Sequence, residues 1–256
     1  MPSIDYSKCV LVTGATSGIG RSLALDIAKL PSHPQVIAAG RRKERLDELA
    51  QVDNIFPVAL DVASDLSTLK KAVDDVVLDT VIFNAGIQHQ LDFTKEVDLT
   101  KMLDEVTVNY TSIVASITYL LPHFRALSEQ GNPCLIVIVT SGLGIIPSPL
   151  LINYSATKAA LRSFCTSLRL QLKDTHIDVL EIIPPLVESE LHDPYGTSQQ
   201  LSKFWMPLDE FTKTTMEGLR EGKLHITAGS STVNFERYEK DKEAEIFKRA
   251  AARAGK

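Results

Sequence analysis

Tyr154 and Lys158 stand four residues apart in Tyr154-Ser155-Ala156-Thr157-Lys158, a stretch without Gly or Pro. Residues at i and i+4 of a helix share a face, which sets an ammonium beside a phenol. A free phenol titrates at about pH 10 and a nearby cation favours its ionised form, so such a pair suits acid/base work at neutral pH. Ser141 stands 13 residues before Tyr154, directly after the apolar run 135–140. A strand ending there would present its hydroxyl beside the helix of Tyr154. Singly, each signal is weak: YxxxK alone is common, and a lone Ser after a strand reads as a turn residue. No GxSxG surrounds Ser141, which argues against a hydrolase nucleophile.

A second constellation is the turn Thr13-Gly14-Ala15-Thr16-Ser17-Gly18-Ile19-Gly20. Glycines let the backbone bend tightly and approach a pyrophosphate, while the free N–H groups and dipole of the following helix attract its charge. The spacing is GxxxGxG rather than GxGxxG, and no Lys-Ser or Lys-Thr follows, which excludes a P-loop. The next apolar run ends in Gly40-Arg41-Arg42-Lys43, where dinucleotide folds place the residue that meets the adenosine ribose. An acid there would accept from the 2′-hydroxyl of NAD. Instead Arg41 is suited to a bidentate pair with the 2′-phosphate of NADP, with Arg42 or Lys43 adding positive potential.

Positioning these groups requires a sheet. Apolar runs of strand length at 10–13, 36–39, 58–60, 81–84, 135–140 and 179–183 alternate with helical patterns at 20–30, 42–51, 65–77, 99–128 and 154–172. Such alternation predicts an α/β fold, a doubly wound Rossmann-type parallel sheet of about seven strands with helices on both faces, a seventh strand falling at 225–228. Ligands then bind at the carboxyl ends of the strands, where every motif above falls. The 256 residues, 44% apolar and 23% charged, suit a single domain over 1–256 with a large core. The charge-rich stretch 236–253 reads as a helix with a solvated face.

Lys and Arg total 27 against 32 Asp and Glu, a net charge of −5, so no global positive field recruits nucleic acid or an anionic membrane. No run reaches the length of a membrane span. Cys9, Cys134 and Cys165 lie inside apolar stretches without metal spacing, which implies buried thiols and a reducing compartment. The expected location is cytoplasmic.

Together, Thr13 to Gly20, Asn84-Ala85-Gly86, Asn109, Ser141, Tyr154 and Lys158 resemble the short-chain dehydrogenase/reductase family, in its branch with TGxxxGIG and YxxxK motifs. The resemblance spans roughly residues 8–189 and implies NAD(P)-dependent carbonyl reduction or alcohol oxidation. It implies that Tyr154 donates the proton, Ser141 holds the carbonyl oxygen, and Lys158 binds the nicotinamide ribose and depresses the Tyr154 pKa. It gives Asn109 a proton-relay water, Asn84 a place near the cofactor, and Asp61 and Val62 contacts to adenine. Cofactor contacts also fall on Gly14, Thr16, Ser17, Gly18, Ile19, Gly20, Arg41, Ala85 and Gly86. On its own residues, without the resemblance, Asn109 reads as a partner for neighbouring backbone, and Asp61 as a cap.

After the sixth strand the family usually shows Pro-Gly, then Val and Thr; this chain has Pro184-Pro185-Leu186-Val187-Glu188-Ser189. Pro185 cannot donate a backbone hydrogen bond and admits a cis bond before it. Carboxamide contacts accordingly fall on Pro184, Val187 and Ser189. The substrate walls are expected from Leu143, Ile145, Ile146, Leu191, Tyr195, Phe204, Trp205 and Met206, with a lid over 188–211. These apolar walls, without Arg or Lys in 143–151, suit an apolar ketone or aldehyde as the small-molecule substrate of an NADPH-dependent carbonyl reductase. The rival reading is a nucleotide-binding sensor or scaffold without turnover. The helices at 99–128 and 154–172 suggest a homodimer or homotetramer.

Overall fold

The computed structural model describes residues 3–64, 68–70, 76–196 and 198–254. Seven strands form one parallel sheet: β1 (Cys9–Thr13), β2 (Gln35–Gly40), β3 (Ile55–Ala59), β4 (Thr80–Phe83), β5 (Cys134–Val139), β6 (Ile177–Ile183) and β7 (His225–Thr227). Their order is β3-β2-β1-β4-β5-β6-β7. The chain reverses direction across the sheet between β1 and β4, the crevice where doubly wound folds bind ligands.

Apolar runs of β-branched residues become strands here because both faces are covered. Along β1, Val10 and Val12 join the cluster containing Leu23, Ile27 and Phe211, whereas Leu11 joins the opposite one with Ile117, Phe124 and Leu161. Cys9, Cys134 and Cys165 are buried free thiols, as expected.

The helices whose bounds lie among the described residues are α1 (Gly18–Ile27), α2 (Lys43–Leu49), α3 (Leu99–Val106), α4 (Ser112–Glu129), α5 (Ile152–Gln171), α6 (Ser198–Leu201), α7 (Leu208–Glu221), α8 (Gly229–Tyr238) and α9 (Lys240–Ala254). Most of the helix expected at 65–77 lies outside the described residues. The single helix expected at 99–128 is divided: a π-helical turn, Thr107–Thr111, separates α3 from α4. Asp98 caps α3, its Oδ1 accepting from the N–H groups of Thr100 at 3.0 Å and Lys101 at 3.3 Å.

Two further expectations are corrected. The lid expected over 188–211 is not a free loop: it holds the 3₁₀ turn Glu190–Tyr195 and α6, and its last residues open α7, where Phe211 is fully buried. The stretch at 236–253 is not one solvated helix. It spans the end of α8 and most of α9, and Glu239 and Glu243 turn inward onto Arg162 and Arg169. All peptide bonds among the described residues are trans, including that before Pro185.

Candidate active site

The Gly-rich turn is held to the end of β4 by side chains as well as by the sheet. Thr13 Oγ1 accepts from the N–H groups of Asn84 at 3.0 Å and Ala85 at 3.1 Å, and Asn84 Nδ2 donates to Thr13 O at 3.1 Å. That close approach requires glycine. A Cβ at Gly14, where φ is +67°, would lie 2.8 Å from Ala85 Cα, and one at Gly20 would lie 2.3 Å from Asn84 Nδ2. Asn84 therefore ties β1 to β4.

Tyr154 and Lys158 lie on α5, both buried, and Ser141 follows β5. Ser141 lies near enough to Tyr154 to lower its pKa, and Ser141 Oγ accepts from the Leu143 N–H at 3.1 Å. Lys158 Nζ donates to Val139 O at 3.0 Å and stands 5.6 Å from the Tyr154 ring centroid. Burial pushes the phenol up to about 12, opposed by the Ser141 hydroxyl, and the Glu105 charge adds to the rise. Burial likewise brings Lys158 down to about 8 against the attraction of Glu105. In the protein without ligand, desolvation sets the direction of the Tyr154 shift, with the Lys158 ammonium turned toward a carbonyl. A phenol so placed keeps its proton at neutral pH and is fitted to donate it.

Asn109 is fully buried in the π-helical turn. Its Oδ1 accepts from the Ile87 N–H at 2.9 Å, and its Nδ2 donates to Ile87 O at 2.8 Å and Thr157 Oγ1 at 3.2 Å. Its side chain therefore holds the segment after Asn84-Ala85-Gly86 against α5, the backbone-partner reading, and does not face the cleft.

One residue of the site escaped the sequence reading. Glu105 is fully buried one helical turn before Asn109, its Oε1 accepting from the His89 N–H at 2.7 Å and its Oε2 from Asn153 Nδ2 at 2.6 Å. Burial raises its pKa against those two hydrogen bonds. The available signal was an acid four residues before Asn109, on the helix face shared with Met102 and Val108.

One cleft of about 910 Å³ runs from the Gly-rich turn and Arg41 to Ser141, Tyr154 and Lys158. Gly14, Thr16, Ser17, Gly18, Ile19, Arg41, Asp61, Val62, Asn84, Ala85, Gly86, Pro184, Val187 and Ser189 all line it, whereas Gly20 and Asn109 lie behind its wall. Leu143, Ile146 and Leu191 line it as expected, joined by Leu150, Leu151 and Leu201. Ile145, Phe204, Trp205 and Met206 are not among its lining residues, and the Tyr195 side chain lies outside the described residues. Met206 instead forms a parallel bridge with Val187, and Phe204 is largely exposed.

At the adenosine end, Arg41 is exposed, with Asp61 Oδ2 at 3.9 Å. Asp61 also accepts from the Ala63 N–H at 3.1 Å, capping the turn that follows. Arg42 and Arg45 both meet Glu190.

Residues 8–200 match the model of the short chain dehydrogenase family. The chain belongs to that family. It is 36% identical over 228 residues, 86% of this chain and 88% of the relative, to an uncharacterized oxidoreductase DltE of Bacillus subtilis. Among solved structures, a 3-ketoacyl-(acyl-carrier-protein) reductase of Brucella melitensis complexed with NADH superposes with a TM-score of 0.76 at 24% identity, covering 88% of this chain and 98% of that one. A short-chain dehydrogenase of Sphingobium yanoikuyae in complex with NADPH does so with the same TM-score and identity, covering 86% and 87%. These two likenesses establish the Rossmann-like fold. Family membership makes the chain an NAD(P)-dependent oxidoreductase. No helix among the described residues is long and apolar enough to cross a membrane.

Proposed function

We propose that this short-chain dehydrogenase uses NADPH to reduce a largely apolar ketone or aldehyde to an alcohol, or runs the reverse reaction, with Tyr154 as acid/base. The observation that carries this reading is the cleft itself, in which Ser141 and Tyr154 share a lining with Leu143, Ile146 and Leu151 and with the Gly-rich turn.

The residues fit a dinucleotide. The turn at Gly14 and Gly18 has positive φ, and a Cβ at Gly14 would strike Ala85, so backbone is laid open where a pyrophosphate would approach. Thr16, Ser17 and the N-terminus of α1 would hold the diphosphate, and Arg41 the 2′-phosphate, with Asp61 and Val62 beside the adenine. The bound cofactor supplies the hydride.

The chain's own groups do the rest. Ser141 Oγ orients the carbonyl oxygen toward Tyr154, and the phenol, protonated at neutral pH, gives that oxygen its proton. Lys158 donates to Val139 O beside Gly86, where its charge stabilises the phenolate left when Tyr154 gives up its proton. Apolar walls exclude water and bury an apolar substrate, while no cation from 143–151 is present to clamp a carboxylate or phosphate.

The test follows oxidation of NADPH and NADH at 340 nm on a panel of aliphatic and aromatic carbonyl compounds. Turnover with apolar ketones or aldehydes, a higher kcat/KM with NADPH, and loss of that preference in Arg41→Ala support the reading. Turnover confined to charged carbonyl compounds, or an undiminished preference in Arg41→Ala, overturns the corresponding half of it.

A further inference from the structure

The cations at the end of β2 are not all available to a ligand. Arg42, the residue before α2, is oriented by the Gly-rich turn: its Nε donates to Thr16 Oγ1 at 3.2 Å and its Nη2 to Ser17 Oγ. Its Nη1 meets Glu190 Oε2 at 2.5 Å. Arg45 Nη1 meets the other oxygen of the same carboxylate at 2.6 Å and also donates to Thr16 O at 3.2 Å. One carboxylate thus bridges two guanidinium groups against the turn that would cradle a pyrophosphate. It comes from the 3₁₀ turn after β6, 148 positions along the chain from Arg42. Hydrogen bonds from both arginines hold its pKa below the usual carboxylate range, outweighing partial burial.

A carboxylate and a phosphate satisfy a guanidinium in the same way, by accepting charge-assisted hydrogen bonds on paired oxygens. Arg41 lines the same cleft but has only the longer contact to Asp61 Oδ2, at 3.9 Å. The 2′-phosphate of NADP would therefore meet one open arginine beside two that already hold an anion of the chain's own making.

We propose that Glu190 is an internal stand-in for the 2′-phosphate, which a ligand bearing that group must displace from Arg42 and Arg45 and a ligand with a free 2′-hydroxyl need not. The displacement releases the 3₁₀ turn of Glu190 from the end of β2, so recognition of the adenosine end is coupled to the segment that borders the substrate cleft. Glu190 is a specificity-determining residue on this account, and the inference rests on the NADP reading of the site.

Its test uses adenosine 2′,5′-bisphosphate and adenosine 5′-monophosphate as probes, titrated calorimetrically into wild type, Glu190→Gln and Glu190→Asp. Half-exposed ion pairs are weak, so Glu190→Gln is expected to tighten the bisphosphate by about 3- to 10-fold. Its affinity for the monophosphate should change by less than about 2-fold. Glu190→Asp, which keeps the charge on a shorter stem, should fall between. Unchanged or weaker bisphosphate binding in Glu190→Gln, or equal tightening of both probes, overturns the stand-in and leaves the cofactor reading intact. If neither wild type nor Glu190→Gln prefers the bisphosphate, the site has no 2′-phosphate subsite and both conclusions fall together.

Discussion

Arg162 Nη1 lies 2.8 Å from Glu181 Oε1, a buried ion pair that joins α5 to β6 one helical turn beyond Lys158. The same Glu181 oxygen accepts from Thr140 Oγ1 at 2.7 Å, immediately before Ser141. The pair thus braces the strand end that carries Ser141 against the helix that carries Tyr154 and Lys158. Removing one member of such a pair strands the other charge out of water. Glu181→Gln is expected to destabilise the fold by about 3–5 kcal/mol, measured by urea denaturation. A loss below about 1 kcal/mol would show that Glu239, 3.4 Å from Arg162 Nη2, compensates.

The same cluster makes stability depend on pH through His225. Burial alone would lower its pKa, but hydrogen bonds to Glu181 at 3.1 Å and Glu243 at 2.6 Å outweigh that and raise it above 6.5. Arg162 and Arg169 from α5, with Glu239 and Glu243 from the C-terminal segment, complete the charged surroundings. A group whose folded pKa is raised stabilises the fold fully below its unfolded pKa, and that contribution is lost as pH rises through the folded value. Wild type should therefore lose Tm from about pH 6.5 upward, more steeply than His225→Gln. Parallel curves for the two proteins would refute the assignment.

Tyr154→Phe removes the acid while keeping the ring packed, so it should lower kcat by 10²- to 10⁴-fold, the usual order of magnitude for a general acid, without loss of NADPH binding. Retention of more than about a tenth of the activity would point to another donor. In wild type, Lys158 titrates before Tyr154, at about 8. If its charge is needed, kcat/KM for reduction should hold at neutral pH and fall as pH rises through about 8, well before the phenol at about 12 ionises. A profile flat to pH 10 would remove Lys158 from the reaction.

The sheet was legible because strands covered on both faces leave unbroken β-branched runs, as at 10–13 and 135–140, and the turn glycines stand where Asn84 and Ala85 press on backbone. Ser141, Tyr154 and Lys158 were legible from spacing because one strand end and one helix face fix them. What the sequence did not reveal depends on contacts between distant segments. The π-helical turn at Asn109 accompanies hydrogen bonds to Ile87 and Thr157, and nothing local in Thr107–Thr111 announces it. Nothing in the sequence links Glu190 to Arg42, which was expected only to add positive potential for a phosphate, since only the folded sheet brings the two together. The upward shift of Tyr154 required knowing how completely α5 is covered.

Assembly is expected from the apolar side chains left outside the core. Leu99 and Leu103 on α3, Leu150, and Ile152 at the start of α5 are exposed, and pairing such faces across a two-fold axis would bury them. Light scattering at micromolar concentration should give the mass of a dimer or tetramer. A monomer would mean that these helices use their apolar faces on the sheet alone.

The last prediction concerns the segment over the cleft. Its two ends are pinned: the Glu188 N–H donates to Met206 O at 3.0 Å, the Met206 N–H to Leu186 O at 2.8 Å, and Phe211 sits in the core. Between them, the 3₁₀ turn Glu190–Tyr195 and the four-residue α6 have little core contact, and Glu190 supplies the clasp to Arg42 and Arg45. Motion is therefore expected in the middle of the stretch rather than at the Trp205 end, as a short lid between fixed hinges. In the free protein, amides at 190–196 and 198–203 should exchange hydrogen faster than those of Glu188 and Met206, and NADPH with a ketone should slow the first group only. Trp205, half-buried beside the pinned bridge, should change its emission little on binding. Equal protection across 188–206 in the free protein would make the segment a static wall, and a large change in Trp205 emission would show that the hinge at Met206 moves as well.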